Sequence, residues 1–362
     1  MSKGKGKGKG KGILVTGVPG FIGARLVKAL LPQGRPVFML CERRFLADAQ
    51  ALATSLGAGE QVVVVPGDIT QDDLALGDQL ARVRAEVDEV YHLAAVYDLA
   101  VPEEVARRVN VLGTGKVIKL LRSIGEGKVR HNYVSTCYVA GDRQGMIFED
   151  ELDRGQSFKN HYEATKFAAE VLVERSKRDI ETRILRPSIV IGDSKTGETA
   201  KFDGPYPGFG AVMMGWLIAF PGPGRAPVNL VPVDFLIDAM IAIAGNPAAA
   251  GKTFQLADPA PLSSRELIQL VADRLGAPRP RFPVPPGLFR PLFRVRKLVE
   301  LSGITPEQFE YFNTHQTLDT ANTRAALAGT DVACPRLPTY INQILRYYRD
   351  RVQLPWRFDS PS

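Results

Sequence analysis

The stretch Ile13–Gly23 constrains the fold of this chain more than any other part of the sequence. It is an apolar run followed by three glycines in the spacing G-x-x-G-x-x-G. The apolar run predicts a buried parallel strand, and the residues from Phe21 onward predict a helix. In such a turn Gly17 permits a sharp reversal, Gly20 lets the main chain approach a pyrophosphate, and Gly23 lets helix and strand pack closely. The free N–H groups at the helix start would then bind phosphate, which predicts a dinucleotide site.

The glycine spacing alone does not settle this assignment. It differs from the G-x-G-x-x-G of the common dinucleotide-binding turn, and three glycines also occur between strand and helix in unrelated α/β turns. The interpretation therefore depends on the residues that follow along the chain.

Apolar runs alternate with helical patterns through the first half of the chain. Strands are predicted at 37–41, 61–65, 89–94, 132–135 and 182–187. Helices are predicted at 21–31, 46–56, 73–83, 103–124 and 162–177. This alternation predicts an α/β fold, a Rossmann-type doubly wound parallel sheet made of right-handed βαβ units. Ligands of such sheets bind at the carboxyl ends of the strands.

The sequence predicts three regions of different character. Residues 1–12 alternate Lys and Gly and predict a disordered tail, inert or attracted to anionic surfaces by charge alone. Residues 13–192, with 228–257 returning to them, form the predicted Rossmann domain. A smaller, mostly helical substrate-binding region is predicted at 193–227 and 258–362.

Two segments of the substrate-binding region leave alternatives open. The apolar run at 211–220 is too short to span a bilayer, and it predicts either a buried helix or the lining of a channel for an apolar substrate. The segment 279–301 predicts a basic amphipathic helix that lies on a membrane surface or packs on the domain. Between them we expect short strands at 228–233 and 253–256, and a capping box of Ser263 and Glu266 before a helix at 267–275.

Composition excludes several classes of protein. With 362 residues, 45% of them hydrophobic and 23% charged, this is an ordinary globular chain with a large core. Five lysines of the tail supply most of the net charge of +7 and leave +2 for the rest, so we expect no specific nucleic-acid partner. The sequence leaves the oligomeric state open, a homodimer included.

Cysteine and histidine usage indicates the compartment and the absence of a metal site. The cysteines are scattered and odd in number: Cys41, Cys137 and Cys334. They predict a reducing, cytoplasmic setting without disulfides. Peripheral contact with a membrane is left open. The histidines show no metal-ligand spacing, and we expect no metal.

A tyrosine and a lysine four residues apart form the candidate proton-transfer pair. Tyr162 and Lys166 share one face at the start of a predicted helix. A phenol titrates near pH ~10 in isolation, and a neighbouring ammonium would lower the pKa of Tyr162 toward neutrality. Ser135 or Thr136, at the end of the strand predicted at 132–135, offers a hydroxyl. This hydroxyl either holds a substrate carbonyl or merely caps the turn.

With these residues the chain resembles the extended short-chain dehydrogenases/reductases, and within them the branch of fatty acyl-CoA reductases and thioester reductase domains. The similarity runs from Ile13 to about Asp258. In this resemblance Thr136, Tyr162 and Lys166 are the catalytic residues, and Thr136 holds the hydroxyl position. The implied cofactor-binding residues are Gly17, Gly20, Phe21, Ile22, Gly23, Arg43, Arg44, Asp68, Ile69, Ala94, Ala95, Asn110, Lys166, Pro187, Ser188 and Ile189.

The family also implies the role of each catalytic residue. Tyr162 protonates the carbonyl oxygen as hydride is transferred, Lys166 lowers the phenol pKa and holds the nicotinamide ribose, and Thr136 orients the carbonyl. Arg43 and Arg44 follow the second strand, where an arginine accommodates the 2′-phosphate of NADP. NADP(H) is therefore the expected cofactor, while Glu42 keeps NAD(H) open.

The sequence is compatible with three functions. The first is NAD(P)H-dependent reduction of a hydrophobic carbonyl compound: a fatty acyl thioester, an aldehyde or a keto lipid. The second is a nucleotide-sugar epimerase or dehydratase with tightly bound NAD. A nucleotide-sugar site needs several polar and cationic groups, whereas the predicted substrate-binding region is apolar, and this disfavours the second function. The third is a non-catalytic cofactor-binding scaffold, against which the intact catalytic residues argue.

Overall fold

The computed structural model describes residues 11–97, 101–216, 219–280, 282–285, 314–353 and 357–358. The predicted Lys/Gly tail lies outside these residues except for Lys11 and Gly12, and Gly12 belongs to the first strand. Most of the predicted amphipathic segment 279–301 also lies outside the described residues, so its two alternatives stay predictions.

The bounds of the regular elements are as follows. The strands are β1 (Gly12–Thr16), β2 (Val37–Cys41), β3 (Val62–Pro66), β4 (Val87–His92), β5 (Arg130–Val134), β6 (Gly145–Ile147), β7 (Glu181–Pro187), β8 (Ile189–Ile191), β9 (Ala219–Pro221), β10 (Pro227–Val228), β11 (Leu230–Pro232), β12 (Thr253–Leu256), β13 (Leu262–Ser263), β14 (Phe282–Val284) and β15 (Gln316–Leu318). The α-helices are α1 (Phe21–Leu30), α2 (Leu46–Leu56), α3 (Gln79–Glu86), α4 (Glu103–Ala106), α5 (Thr114–Ile124), α6 (His161–Ser176), α7 (Tyr206–Met213), α8 (Val233–Gly245), α9 (Ser264–Arg274), α10 (Ala321–Leu327) and α11 (Ile341–Arg351).

The predicted doubly wound sheet is confirmed. Seven strands lie in the order β12-β7-β5-β4-β1-β2-β3, and the pairs from β7 to β3 are parallel. The strand order reverses between β1 and β4, where Thr16 is in register with His92. This switch point is where such sheets bind ligands. All five residues of β1 and all five of β2 are buried, which explains their nearly continuous apolar sequences.

Two helix predictions were wrong in part. The expected helix at 73–83 is a 3₁₀ turn (Asp72–Ala75) followed by α3, because Asp73, Leu74 and Ala75 have positive φ and Leu74 O accepts from Asp68 N to close a turn after β3. The expected helix at 211–220 ends with α7, because Gly215 adopts φ +72° there. Its residues 211–213 are buried, which supports the buried-helix alternative over a channel lining.

The chain forms two compact units. The first comprises the described parts of 1–139, 160–186 and 240–254, and the second comprises those of 140–159, 187–239 and 255–362. The first unit is centred on an apolar core beneath β1, β4 and β5. The predicted domain bounds at 192 and 228 stay a prediction.

The second unit has its own apolar core and short strand pairs. Its core joins α7, α9 and α11, and its pairs are β6–β15, β8–β11, β9–β14 and β10–β13. The capping box of Ser263 and Glu266 is confirmed at the start of α9. None of the helices in the described part of the chain combines the length and the hydropathy needed to cross a bilayer.

Candidate active site

The glycine turn between β1 and α1 leaves no room for side chains. Gly17 adopts φ +82°, and a Cβ there would lie 2.9 Å from Ala94 N. A Cβ on Gly20 or Gly23 would lie 2.8 or 2.5 Å from the carbonyl oxygen of Gly17. Close main-chain approach therefore requires glycine at all three positions.

The start of α1 fits the pyrophosphate of a dinucleotide. No side chain among the described residues caps its first N–H groups, and its first turn, which begins with Phe21 and Ile22, holds no acidic residue. Free N–H groups and the partial positive charge of a helix start bind phosphate. The residues of the turn fit the cofactor that the sequence predicts.

The two arginines after β2 have different surroundings. Arg44 forms an ion pair with Glu42, with 2.8 Å between Nε and Oε2, and its guanidinium lies 4.7 Å from the centre of the Phe45 ring. Arg43 is exposed and forms no ion pair with the described residues. The sequence alone does not distinguish Arg43 from Arg44. In the structure, Arg43 is the one whose guanidinium is available to a 2′-phosphate.

Asp68 and Ile69 follow β3 with opposite orientations. The Asp68 carboxylate accepts a hydrogen bond of 2.7 Å from the main-chain N–H of Thr70. Ile69 is buried, and a Cβ on Gly113 would lie 2.8 Å from its Cδ1. Ile69 therefore packs in the core beneath Gly113, and Asp68 is the polar group at this strand end.

Asn110 lies in a π-helical segment (Arg107–Gly113) between α4 and α5. Its amide oxygen accepts from Val96 N at 2.9 Å, and its amide nitrogen donates to Val96 O at 3.0 Å and to Thr165 Oγ1 at 3.1 Å. Protein groups thus engage both ends of the buried amide. Asn110 fixes the loop after β4, which holds Ala94 and Ala95, to the helix that carries Lys166.

Thr136 and Tyr162 meet as the sequence predicts. Their hydroxyls are hydrogen-bonded, and both residues lie in the first unit, Thr136 just after β5 and Tyr162 in the first turn of α6. Removal from water raises the pKa of the Tyr162 phenol, and the hydrogen bond from Thr136 opposes this rise. Ser135 instead donates to the buried carboxylate of Glu170, so the structure separates the two candidate hydroxyls.

The predicted lowering of the phenol pKa by Lys166 is wrong in this structure. The Lys166 ammonium donates to Tyr133 Oη at 3.0 Å and to Val134 O at 2.8 Å. Burial lowers the pKa of Lys166 to about 7, and the negative charge of Glu170 opposes this. The ammonium therefore stabilises the end of β5 and not a phenolate, and burial decides the direction of the Tyr162 pKa.

A buried ion pair lies on the face of α6 that carries Lys166. Glu170 accepts from Arg186 Nε at 2.9 Å and from Nη2 at 2.5 Å, and both residues are almost fully buried. No sequence pattern indicates this pair, because Glu170 and Arg186 lie on different elements, α6 and β7. Glu170 is four residues from Lys166 and thus on the same helix face.

The predicted nicotinamide-side residues belong to the second unit. Pro187 ends β7, Ser188 N donates to Leu256 O at 3.1 Å, and Ile189 begins β8. The Ser188 hydroxyl is buried and has no hydrogen-bond partner among the described residues. Their part in cofactor binding stays a prediction.

Known proteins resemble this chain in sequence. A family model described as Male sterility protein matches residues 15–240. Glycine betaine reductase ATRR of Emericella nidulans is 28% identical over 71% of this chain and 22% of that protein. Probable fatty acyl-CoA reductase 4 of Arabidopsis thaliana is 24% identical over 64% of this chain and 63% of that protein. The chain thus spans only part of these relatives.

Solved structures resemble the chain over nearly its whole length. One of them is the terminal R domain from the myxalamid PKS-NRPS biosynthetic pathway, with a TM-score of 0.83 and 26% identity over 98% of this chain and 94% of that one. A complex of MoeE5 with UDP-glucose and NAD, at 20% identity and a TM-score of 0.65, shares the fold.

Proposed function

Because the chain belongs to the Male sterility protein family of NAD(P)-dependent extended short-chain dehydrogenases/reductases, we propose that it reduces acyl thioesters with NADPH. The observation that carries this proposal is the Thr136–Tyr162 hydrogen bond at the end of β5, one helical turn from Lys166. Relatives named fatty acyl-CoA reductase support the substrate class, and the solved terminal R domain supports the fold.

The protonation state of Tyr162 suits a reductase. Since its pKa is raised, the phenol keeps its proton at neutral pH and is available as a general acid. When bound, the reduced nicotinamide supplies a hydride. Tyr162 then gives its proton to the thioester oxygen while Thr136 orients that oxygen. The resulting hemithioacetal releases a thiol to leave an aldehyde.

The cofactor preference rests on one side chain. The exposed Arg43 is free of ion pairs with the described residues, whereas Glu42 is paired with Arg44. A carboxylate already paired with arginine is a poorer partner for a ribose 2′-hydroxyl, and a free guanidinium favours a 2′-phosphate. We therefore propose NADPH over NADH.

The test measures consumption of NADPH and, in parallel, NADH at ~340 nm with purified protein. The substrates are acyl-CoA thioesters of graded chain length, fatty aldehydes and keto-steroids, with Tyr162→Phe as the control variant. We expect NADPH oxidation with an acyl-CoA, release of free CoA and turnover at least about 10²-fold slower in the variant. Turnover of keto-steroids alone, or of no carbonyl compound, would contradict the proposal.

A further inference from the structure

A chain of buried hydrogen bonds connects Lys166 to the loop beneath the predicted cofactor site. Lys166 donates to Tyr133 Oη, and the Tyr133 hydroxyl is hydrogen-bonded to Thr114. Thr114 Oγ1 lies 3.1 Å from His92 Nε2, and His92 Nδ1 lies 2.8 Å from Thr16 Oγ1. All five residues are at most 3% exposed and belong to the first unit.

The direction of these bonds follows from the number of donors and acceptors. Thr16 Oγ1 accepts from the main-chain N–H groups of Leu93 and Ala94, both at 3.1 Å. Because two N–H groups occupy its acceptor sites, the Thr16 hydroxyl must donate to His92 Nδ1. Burial lowers the pKa of His92, so the ring is neutral with its proton on Nε2.

The same reasoning orients the remaining links. His92 Nε2 donates to Thr114 Oγ1, which leaves the Thr114 hydroxyl proton for Tyr133 Oη. Tyr133 Oη therefore accepts from both Thr114 and Lys166.

We infer that Tyr133 is a positioning residue that holds the Lys166 ammonium in its charged form for the reaction; this rests on the proposed function. An ammonium has three N–H donors, and Tyr133 Oη and Val134 O engage two of them. The third has no partner among the described residues, and the other two bonds fix its direction. The ring of Tyr133 adds a cation–π contact, with Nζ 4.5 Å from its centre.

Few charges act on the ammonium besides this contact. Glu170, on α6, favours the charged form, and its own charge is shared with Arg186 of β7. His92 on β4 is neutral, and His131 on β5, with a pKa lowered to about 3 by burial, is neutral as well. Tyr162 keeps its proton. Loss of the Tyr133 hydroxyl is therefore not compensated by another group.

The experiment measures the pKa of Lys166 directly. Protein labelled with ¹³C-lysine is titrated by NMR without substrate, and the Lys166 signal is assigned by its loss in Lys166→Arg. We expect Tyr133→Phe to lower the pKa of Lys166 by about one unit, since a charge-assisted hydrogen bond is lost. Thr114→Val, which only disorients the phenol, lowers it by less.

Tyr91→Phe is the matched control. Tyr91 is as buried as Tyr133, lies on the neighbouring strand and is hydrogen-bonded to Glu89, so its variant should leave the Lys166 pKa unchanged. The pH dependence of kcat/KM is measured with substrate. The apparent pKa of its decline at high pH should be lower in Tyr133→Phe than in wild type, by the same amount as the Lys166 pKa from NMR.

The two claims fail separately. A Lys166 pKa that is the same in wild type, Tyr133→Phe and Thr114→Val would overturn the inference about Tyr133. A lowered pKa in Tyr133→Phe, in a protein that turns over no thioester, would support this inference and refute the proposed function.

Discussion

Gly23→Ala tests the dinucleotide turn most sharply. An ideal Cβ on Gly23 lies 2.5 Å from the Gly17 carbonyl oxygen, and real Cβ atoms essentially never come closer than 3.0 Å. Helix and turn must therefore separate by at least about 0.5 Å. The same oxygen accepts from Gly20 N at 3.1 Å, so the displacement also disturbs the turn itself.

The expected loss combines two opposing effects. Alanine favours a helix over glycine by about 1 kcal/mol, whereas overpacking costs about 1–3 kcal/mol. We expect a net loss of about 1 kcal/mol in the free energy of unfolding. NADPH affinity should fall on the order of tenfold, because the displaced N–H groups no longer match the phosphates.

Gly115→Ala is the control, since its Cβ would lie at an ordinary 3.9 Å from Leu172 in the α5–α6 contact. This variant should unfold at equal or higher urea concentration than wild type and bind NADPH normally. Urea denaturation and fluorescence titration with NADPH measure both quantities. If Gly23→Ala binds NADPH as tightly as Gly115→Ala does, the steric reasoning is refuted.

Three further predictions follow from the site. Tyr162→Phe should lower kcat by about 10²- to 10⁴-fold without changing the dissociation constant for NADPH, as steady-state kinetics and fluorescence titration will show; unimpaired turnover would remove Tyr162 from the chemistry. Arg43→Ala should raise the KM for NADPH but not for NADH, and more than Arg44→Ala does; equal effects of both variants on both cofactors would refute the assignment. Glu170→Gln should cost about 3 kcal/mol of unfolding free energy in urea, because it leaves the buried Arg186 unpaired, and an unchanged midpoint would contradict that.

Local spacing explains why the sequence predicted the main features of the site. The strand, glycine turn and helix at Ile13–Gly23 lie within one βα unit, and Tyr162 and Lys166 are one helical turn apart. Such patterns are set by nearest neighbours in the chain. They are enough to predict the doubly wound sheet and the family.

What the sequence could not show depends on contacts between distant elements. The partners of Lys166 are on β5, and the hydrogen-bonded chain from Tyr133 through Thr114 and His92 to Thr16 joins four separate elements. Burial also reverses the expected direction of the Tyr162 pKa, and burial is a property of the assembled fold. Thr16 and His92 could have been suspected only from their places at adjoining strand ends.

The most direct test of the account follows hydride into the product. NADPH carrying deuterium at C4 of the nicotinamide is incubated with an acyl-CoA and the wild-type protein, and the product is analysed by mass spectrometry. We expect an aldehyde, or an alcohol formed from it, with deuterium on the former thioester carbon, and labelled product formed at least about 10²-fold more slowly by Tyr162→Phe. An unlabelled acyl-CoA after prolonged incubation, with NAD retained by the purified protein and a nucleotide sugar epimerised instead, would contradict it.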